Sequence, residues 1–331
     1  MLILNSQDVR QALPMPQAIE AMKQAFAALS AGQAIVPPRA HLALKKNAGI
    51  SLVMPAYLDD EQPDRQALAV KVVSLFDRNR DRGLARIQAA VMAFEPDTGR
   101  LLALLEGATL TAIRTAAASG AATNLLARPD CRTAAVLGAG VQARAHLQAM
   151  LAVRPLEQIR IHSRSPDKAH ALAAELAAQP ECTARLIVAG SAREAVRGAD
   201  LICCTTTSPT PVFDDADLAP GAHINAVGSF TPQVREVPPE TVCRAAVFVD
   251  SRAAAWEEAG DLIQPLEAGL IGRGHIRAEL GELVLGRQPG RASADEITFF
   301  KSVGIAVQDA AAARVALKNA VQGGLGHQVD W

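Results

Sequence analysis

Three observations along the 331-residue sequence predict an α/β fold in two parts, a Rossmann-type dinucleotide-binding domain and an α+β domain. In mid-chain a buried strand runs into a G-x-G-x-x-A turn and a helix. After Cys131, apolar runs of strand length alternate with helical stretches. Between Arg39 and Phe94, by contrast, the pattern is one of short β runs separated by Pro, Asp, Gly and Asn.

The elements follow in order. Pro16 to Leu29 places Ala18, Ile19, Met22, Ala25, Phe26 and Leu29 on one stripe, opened by proline and closed by Gly32, which predicts an amphipathic surface helix. Ile50 to Met54, Ala67 to Phe76 and Gln88 to Phe94 read as an antiparallel meander. Thr109 to Leu126 is a helix of Ala, Thr, Ser and Leu around Arg114, expected to bridge the domains. Strands at Ala134, Gln158, Leu186, Leu201, His223 and Val247 then repeat as βα units of a parallel sheet. Thr298 to Leu317 is expected to be a final long helix that starts about Ser302-Val303-Gly304, near a ligand crevice, and returns to the first domain.

The glycine turn is Gly138-Ala139-Gly140-Val141-Gln142-Ala143, following Ala134-Ala135-Val136-Leu137. A strand, a bare turn and a helix start present backbone N–H groups and the positive helix end to a pyrophosphate. The next strand, Gln158 to His162, ends in Ser163-Arg164-Ser165, where an NAD site would place a carboxylate on the ribose hydroxyls. A hydroxyl and a guanidinium there suit a 2′-phosphate and favour NADPH, with NADH also acceptable; the plainer reading of Arg164 is a solvated residue after a strand.

Composition narrows the rest. Thirty-three basic and 34 acidic side chains give a net charge of −1 and a pI near 6.7, with no basic stripe, so nucleic acid is not an expected partner. Met1-Leu2-Ile3-Leu4 is followed at once by polar residues, and no apolar stretch reaches the roughly 18 to 20 residues that span a bilayer; neither a signal peptide nor a membrane partner is expected. Cys131, Cys182, Cys203, Cys204 and Cys243 lack C-x-x-C spacing and read as reduced core residues of a cytoplasmic protein, and no metal site is expected.

Lys71 alternates with Ala69 and Val73 on one face of its strand. It either snorkels to solvent at a sheet edge or points into a cleft that binds an anion. Arg114 and Arg39 pose the same question, and together the three could clamp a carboxylate. Asp309 could orient the lysine, but reads more simply as a surface or helix-packing aspartate.

Lys71, Leu110 to Ser119, Gly138-Ala139-Gly140, Cys204-Thr205-Thr206-Thr207, Asn225-Ala226-Val227-Gly228 and Lys301-Ser302-Val303-Gly304 together resemble the ornithine cyclodeaminase and mu-crystallin family over nearly the whole chain. The resemblance implies a homodimer. Residues 1–120 with 305–331 would form the substrate-binding and dimerisation domain, and residues 121–304 the dinucleotide-binding domain. It implies that Arg39, Lys71 and Arg114 hold a substrate carboxylate and that Val303 touches substrate. Thr205, Thr206, Thr207, Val227, Gly228 and Ser302 would line the cofactor, with Arg114, Thr115 and the residues of the glycine turn.

One departure decides among the family's reactions. Ornithine cyclodeaminases place an aspartate general base where this sequence has Phe230, and Ser229-Phe230-Thr231-Pro232 holds no carboxylate. The stretch, with Arg235-Glu236, looks more like the ketimine reductases, which reduce cyclic imino acids such as Δ1-pyrroline-2-carboxylate and Δ1-piperideine-2-carboxylate to L-proline and L-pipecolate. The expected roles are a carboxylate clamp, ring packing by Met54 and Phe230, and Lys71 as the group that polarises or protonates the imine. Two alternatives stand beside this: reductive amination of a 2-oxo acid, as by an alanine dehydrogenase, and a small-molecule binding protein like mu-crystallin.

Overall fold

The computed structural model describes residues 1–60, 62 and 65–330. Contacts divide the chain into two compact units, Met1–Arg114 with the chain from Ile305 onward, and Thr115–Gly304.

The first unit opens with β1 (Leu2–Leu4), α1 (Ser6–Ala12) and α2 (Met15–Ala31). Asn5 caps α1 by accepting the Gln7 and Asp8 N–H groups, and Gly32, at φ 76°, ends α2 in the left-handed conformation a β-carbon disfavours. Then come β2 (Ala34–Ile35), β3 (Ala40–Leu44), β4 (Gly49–Leu58), β5 (Ala67–Phe76), β6 (Ile87–Phe94) and β7 (Leu101–Glu106). β4 through β7 form the expected antiparallel meander, with β1 added parallel to β7. Helix α3 (Gly107–Leu126) follows, and the division between the units falls inside it.

The second unit is a wholly parallel eight-stranded sheet. Its first half is β8 (Thr133–Leu137), α4 (Val141–Val153), β9 (Gln158–His162), α5 (Pro166–Ala177), β10 (Arg185–Val188), α6 (Ala192–Val196) and β11 (Leu201–Cys204). The second half is β12 (His223–Ala226), α7 (Pro239–Arg244), β13 (Ala246–Val249), α8 (Arg252–Glu258), α9 (Gly260–Glu267), β14 (Ile276–Glu279), α10 (Leu280–Val284) and β15 (Thr298–Lys301). The order β10-β9-β8-β11-β12-β15-β13-β14 puts β8 and β11 side by side although their crossovers leave in opposite directions, which makes their carboxyl ends the switch point where a doubly wound sheet binds ligands.

The expected helix from Thr298 is corrected. Thr298-Phe299-Phe300-Lys301 is a fully buried strand between β12 and β13, and the helix α11 (Ala306–Gly323) starts only after Gly304, whose φ of 82° breaks the chain. A β-branched and aromatic run enclosed on both faces favours a strand, and periodicity cannot separate such a run from a buried helix. Ser302-Val303-Gly304 is therefore the connector from β15 to α11. Strand β14 was likewise not expected; its four residues carry no distinctive pattern.

Helix α11 returns to the first unit, packing on β4, β5 and β6 and against α1 and α2. Its strand β16 (His327–Gln328) pairs with β1. The opposite face of the first sheet carries Leu68, Val70, Val72, Ala90, Met92 and Leu104, apolar yet only half-buried. All five cysteines are free; Cys131, Cys203 and Cys204 are core residues, whereas Cys182 and Cys243 are only half-buried.

Candidate active site

In the first unit the site is built on β5. Alternation turns Ala67, Ala69, Lys71 and Val73 toward the helices, and the register sets Lys71 between Met54 and Val91, both buried. Lys71 is 1% exposed in an interior strand, so the solvent-snorkelling alternative is excluded. Its Nζ meets Asp309 Oδ2 at 2.6 Å, and Asp309 is equally buried. Arg114, from α3, donates Nε to Asp309 Oδ1 at 3.1 Å and Nη1 to Gln308 Oε1 at 2.8 Å. Gln308 Oε1 also accepts the Ile305 N–H at 2.9 Å, which ties the start of α11 to the arginine.

The surface reading of Asp309 is thus overturned. Burying two cations demands a carboxylate, and the first turns of α11 supply it from far along the chain, where sequence periodicity gives no sign of the pairing. Two cations on one carboxylate leave the cluster with excess positive charge. Burial lowers the Lys71 pKa from 10.5 to about 8; Asp309 opposes that shift, while Arg114 and, more weakly, Arg39 add to it. Arg39, half-buried between β2 and β3, is therefore close enough to act on the lysine electrostatically. Thr115, the next residue of α3, is half-buried.

In the second unit the predicted cofactor residues gather at the carboxyl ends of neighbouring strands. The Gly138 N–H donates to His162 O at 2.8 Å, and Thr205 donates both its N–H and its hydroxyl to Leu137 O, at 3.0 and 2.9 Å. Gly138 has φ 111°, and a β-carbon there would stand 2.7 Å from Thr205 Oγ1, so the turn needs glycine on both counts. Gly140 caps α4 with no side-chain acceptor, and a β-carbon on it would meet open space. Val141 is exposed, and Gln142 Oε1 is buried without a partner among the described residues. A bare helix start of this kind, with Ala139 beside it, fits a pyrophosphate.

Ser163 follows β9 directly beside this turn, half-buried, its hydroxyl accepting the Ser165 N–H at 3.2 Å; Arg164 is exposed. Thr206 and Gly228 both donate to Glu236, whereas Thr207 is exposed and Val227 donates its N–H to Cys204 O. The Ser302 hydroxyl is committed to Asp250 Oδ2 at 2.9 Å, and the same oxygen accepts the Val303 and Gly304 N–H groups at 2.9 and 2.7 Å. Phe230 lies half-buried on a loop held by Ser229 Oγ donating to Val234 O at 2.5 Å and Gln264 donating to Pro232 O at 3.0 Å. Sequence reasoning missed Gln308, Glu236, Asp250, Asp261 and Lys301 as site-building residues. A polar residue at the end of an otherwise apolar strand, as at Asp250 and Lys301, was the available signal.

The profile of the ornithine cyclodeaminase/mu-crystallin family matches residues 1–324. The chain belongs to that family. Among its relatives, a Δ1-pyrroline-2-carboxylate reductase of Bacillus cereus is 38% identical over 332 residues, all of both chains. The solved Δ1-pyrroline-2-carboxylate reductase of Thermococcus litoralis, in complex with NADH and L-proline, superposes with a TM-score of 0.94 at 41% identity, covering 99% of this chain and 100% of that one. An archaeal alanine dehydrogenase dimer with bound NAD gives 0.91 at 30% identity, covering 100% of this chain and 99% of the other.

Proposed function

We propose that this family member is an NADPH-dependent ketimine reductase that converts Δ1-pyrroline-2-carboxylate to L-proline and Δ1-piperideine-2-carboxylate to L-pipecolate. The observation that carries the reading is the Lys71–Asp309–Arg114 cluster, a buried assembly with excess positive charge and a lysine brought to about pKa 8. An anionic substrate supplies the missing negative charge. Arg114 and Arg39 hold its carboxylate with Lys71, and Met54 packs beside the lysine. Val303 and Phe230 are assigned to the substrate as well, Phe230 as an apolar wall where a cyclodeaminase needs a base.

Lys71 has a second task. Imine carbon accepts a nucleophile most readily once its nitrogen carries a proton, and an ammonium with a pKa near 8 can give one up near neutral pH. Asp309 keeps that proton on the lysine until it is needed and fixes the direction of Nζ. The nicotinamide group, when bound, supplies hydride for the adjacent carbon. Gly138, Ala139, Gly140, Val141 and Gln142 would hold the pyrophosphate; Thr205, Thr206, Thr207, Val227, Gly228 and Ser302 the rest, with Arg114 and Thr115. Ser163 and Arg164, in place of a carboxylate, support NADPH over NADH, although the Thermococcus litoralis relative carries NADH.

The half-buried apolar face of the first sheet supports a homodimer. Unpaired cysteines, and the absence of any helix among the described residues long and apolar enough to cross a membrane, accord with a cytoplasmic enzyme. The test follows NADPH and NADH absorbance with each cyclic imine, with pyruvate plus ammonia, and with L-ornithine plus NAD⁺. The proposal expects rapid oxidation of NADPH with a cyclic imine. Ammonia-dependent turnover of pyruvate alone would move the assignment to the alanine dehydrogenase reaction, for which the same clamp would serve.

A further inference from the structure

The loops that leave β11 and β12 are tied together by one carboxylate. Glu236, on the segment between β12 and α7, is fully buried; its Oε1 accepts the Thr206 N–H at 2.5 Å and the Thr206 hydroxyl at 2.7 Å, and its Oε2 accepts the Gly228 N–H at 2.7 Å. The loops approach as closely as glycine permits, since a β-carbon on Gly228 would collide with the Thr206 carbonyl and stand 2.6 Å from Glu236 Oε2. Glu236 is itself held from behind. Its N–H and that of Val237 donate to Asp261 Oδ1 at 2.7 and 2.9 Å, and Asp261 Oδ2 pairs with Lys301 Nζ at 2.9 Å, both side chains being fully buried.

We infer that Glu236 is a positioning residue for dinucleotide binding: its carboxylate sets the spacing of the Thr206 and Gly228 loops, and the Asp261–Lys301 pair fixes its aim. This rests on the reading of these loops as part of the cofactor site. Three donors converge on two oxygens, so only the ionised acid satisfies them all. A proton on either oxygen would set an O–H, and an amide in place of the acid an N–H, against a backbone N–H of Thr206 or Gly228 and push a loop away.

The charged and titratable groups that face the carboxylate are Lys301 from β15, Asp261 from α9 and the Cys204 thiol at the end of β11. Burial pushes the Glu236 carboxyl above its ordinary range; Lys301 opposes this, Asp261 adds to it, and the Thr206 donors hold it down. Dinucleotide affinity should accordingly fall with falling pH, at a higher pH than an exposed glutamate would produce.

The experiment measures NADPH and NADH dissociation constants by nicotinamide fluorescence from about pH 5 to about pH 8, a window that spans the carboxylate range, for wild type, Glu236→Gln and Thr206→Val, with melting curves alongside. Glu236→Gln should bind about tenfold or more weakly and lose the acid-side slope. Thr206→Val should bind a few-fold more weakly yet keep the slope, because both backbone donors still meet the carboxylate. Equal affinity and an unchanged slope in Glu236→Gln would overturn the assignment. Should that variant not fold, Thr206→Val decides, and wild-type affinity in it overturns the assignment. A wild type that binds neither dinucleotide overturns the functional reading and this one with it.

Discussion

Each unit buries one lysine against one aspartate, and the third partner sets the two clusters apart. Lys71 and Asp309 are joined by Arg114, so positive charge is in excess; Lys301 and Asp261 are joined by Glu236, so negative charge is. In the second cluster the excess is met by backbone N–H groups of the chain itself, at Thr206, Gly228 and Val237. In the first, Gln308 shares in holding the arginine and, among the described residues, no further carboxylate pairs with either cation. A buried cluster that the protein completes is a brace, whereas one left short of an anion is a binding site.

The sharpest way to break this contrast is Lys71→Met. Turnover of a cyclic imine should fall by about two to four orders of magnitude while the dinucleotide dissociation constant stays as in wild type; normal turnover would place the chemistry elsewhere. The same variant tests burial. The folded-state pKa of about 8 lies below the 10.5 of an exposed lysine, so the folded chain binds fewer protons between those values and this group's contribution to stability rises with pH across that window. Thermal melts of Lys71→Met should lose that rise.

Ser163→Asp comes next in size and acts on the second unit alone. A carboxylate beside the glycine turn should repel a 2′-phosphate and shift the NADPH-to-NADH ratio of kcat/KM toward NADH by about tenfold or more; an unchanged ratio would remove the loop after β9 from cofactor choice. Asp309→Asn then sharpens the first cluster. Wild-type reduction should decline above about pH 8 as Lys71 loses its proton. Asp309 holds that pKa up, so the amide should move the alkaline limb down by about one pH unit, read from the pH dependence of kcat/KM, which reports the free enzyme. The smallest effect belongs to Gly304→Ala, where φ is 82°: a loss of about 1 kcal/mol, seen as a melting temperature lower by about 2 to 4 °C.

Legibility in the sequence differs between the units for physical reasons. The parallel sheet was readable from the alternation of strand and helix and from glycines such as Gly138 and Gly228, which a left-handed φ and a close approach to Thr206, respectively, require. The meander was readable from alternation, and Lys71 stood out because it interrupts apolar neighbours. Thr298 to Lys301 was misread because a strand buried on both faces has no period of its own. Glu236 and Asp261 escaped, and the pairing of Asp309 with Lys71 ranked below a surface or helix-packing reading, for a different reason: each acquires its partner from a distant element, and a lone acidic residue looks the same in sequence whether it is solvated or paired in the core.

The most direct test of the central claim uses NADPH deuterated at both C4 positions with Δ1-pyrroline-2-carboxylate, followed by mass spectrometry and NMR of the product. The account predicts L-proline carrying a single deuteron on Cα, with one NADP⁺ formed for each proline. Unlabelled proline, or NADPH that remains unoxidised while the imine persists, would contradict it.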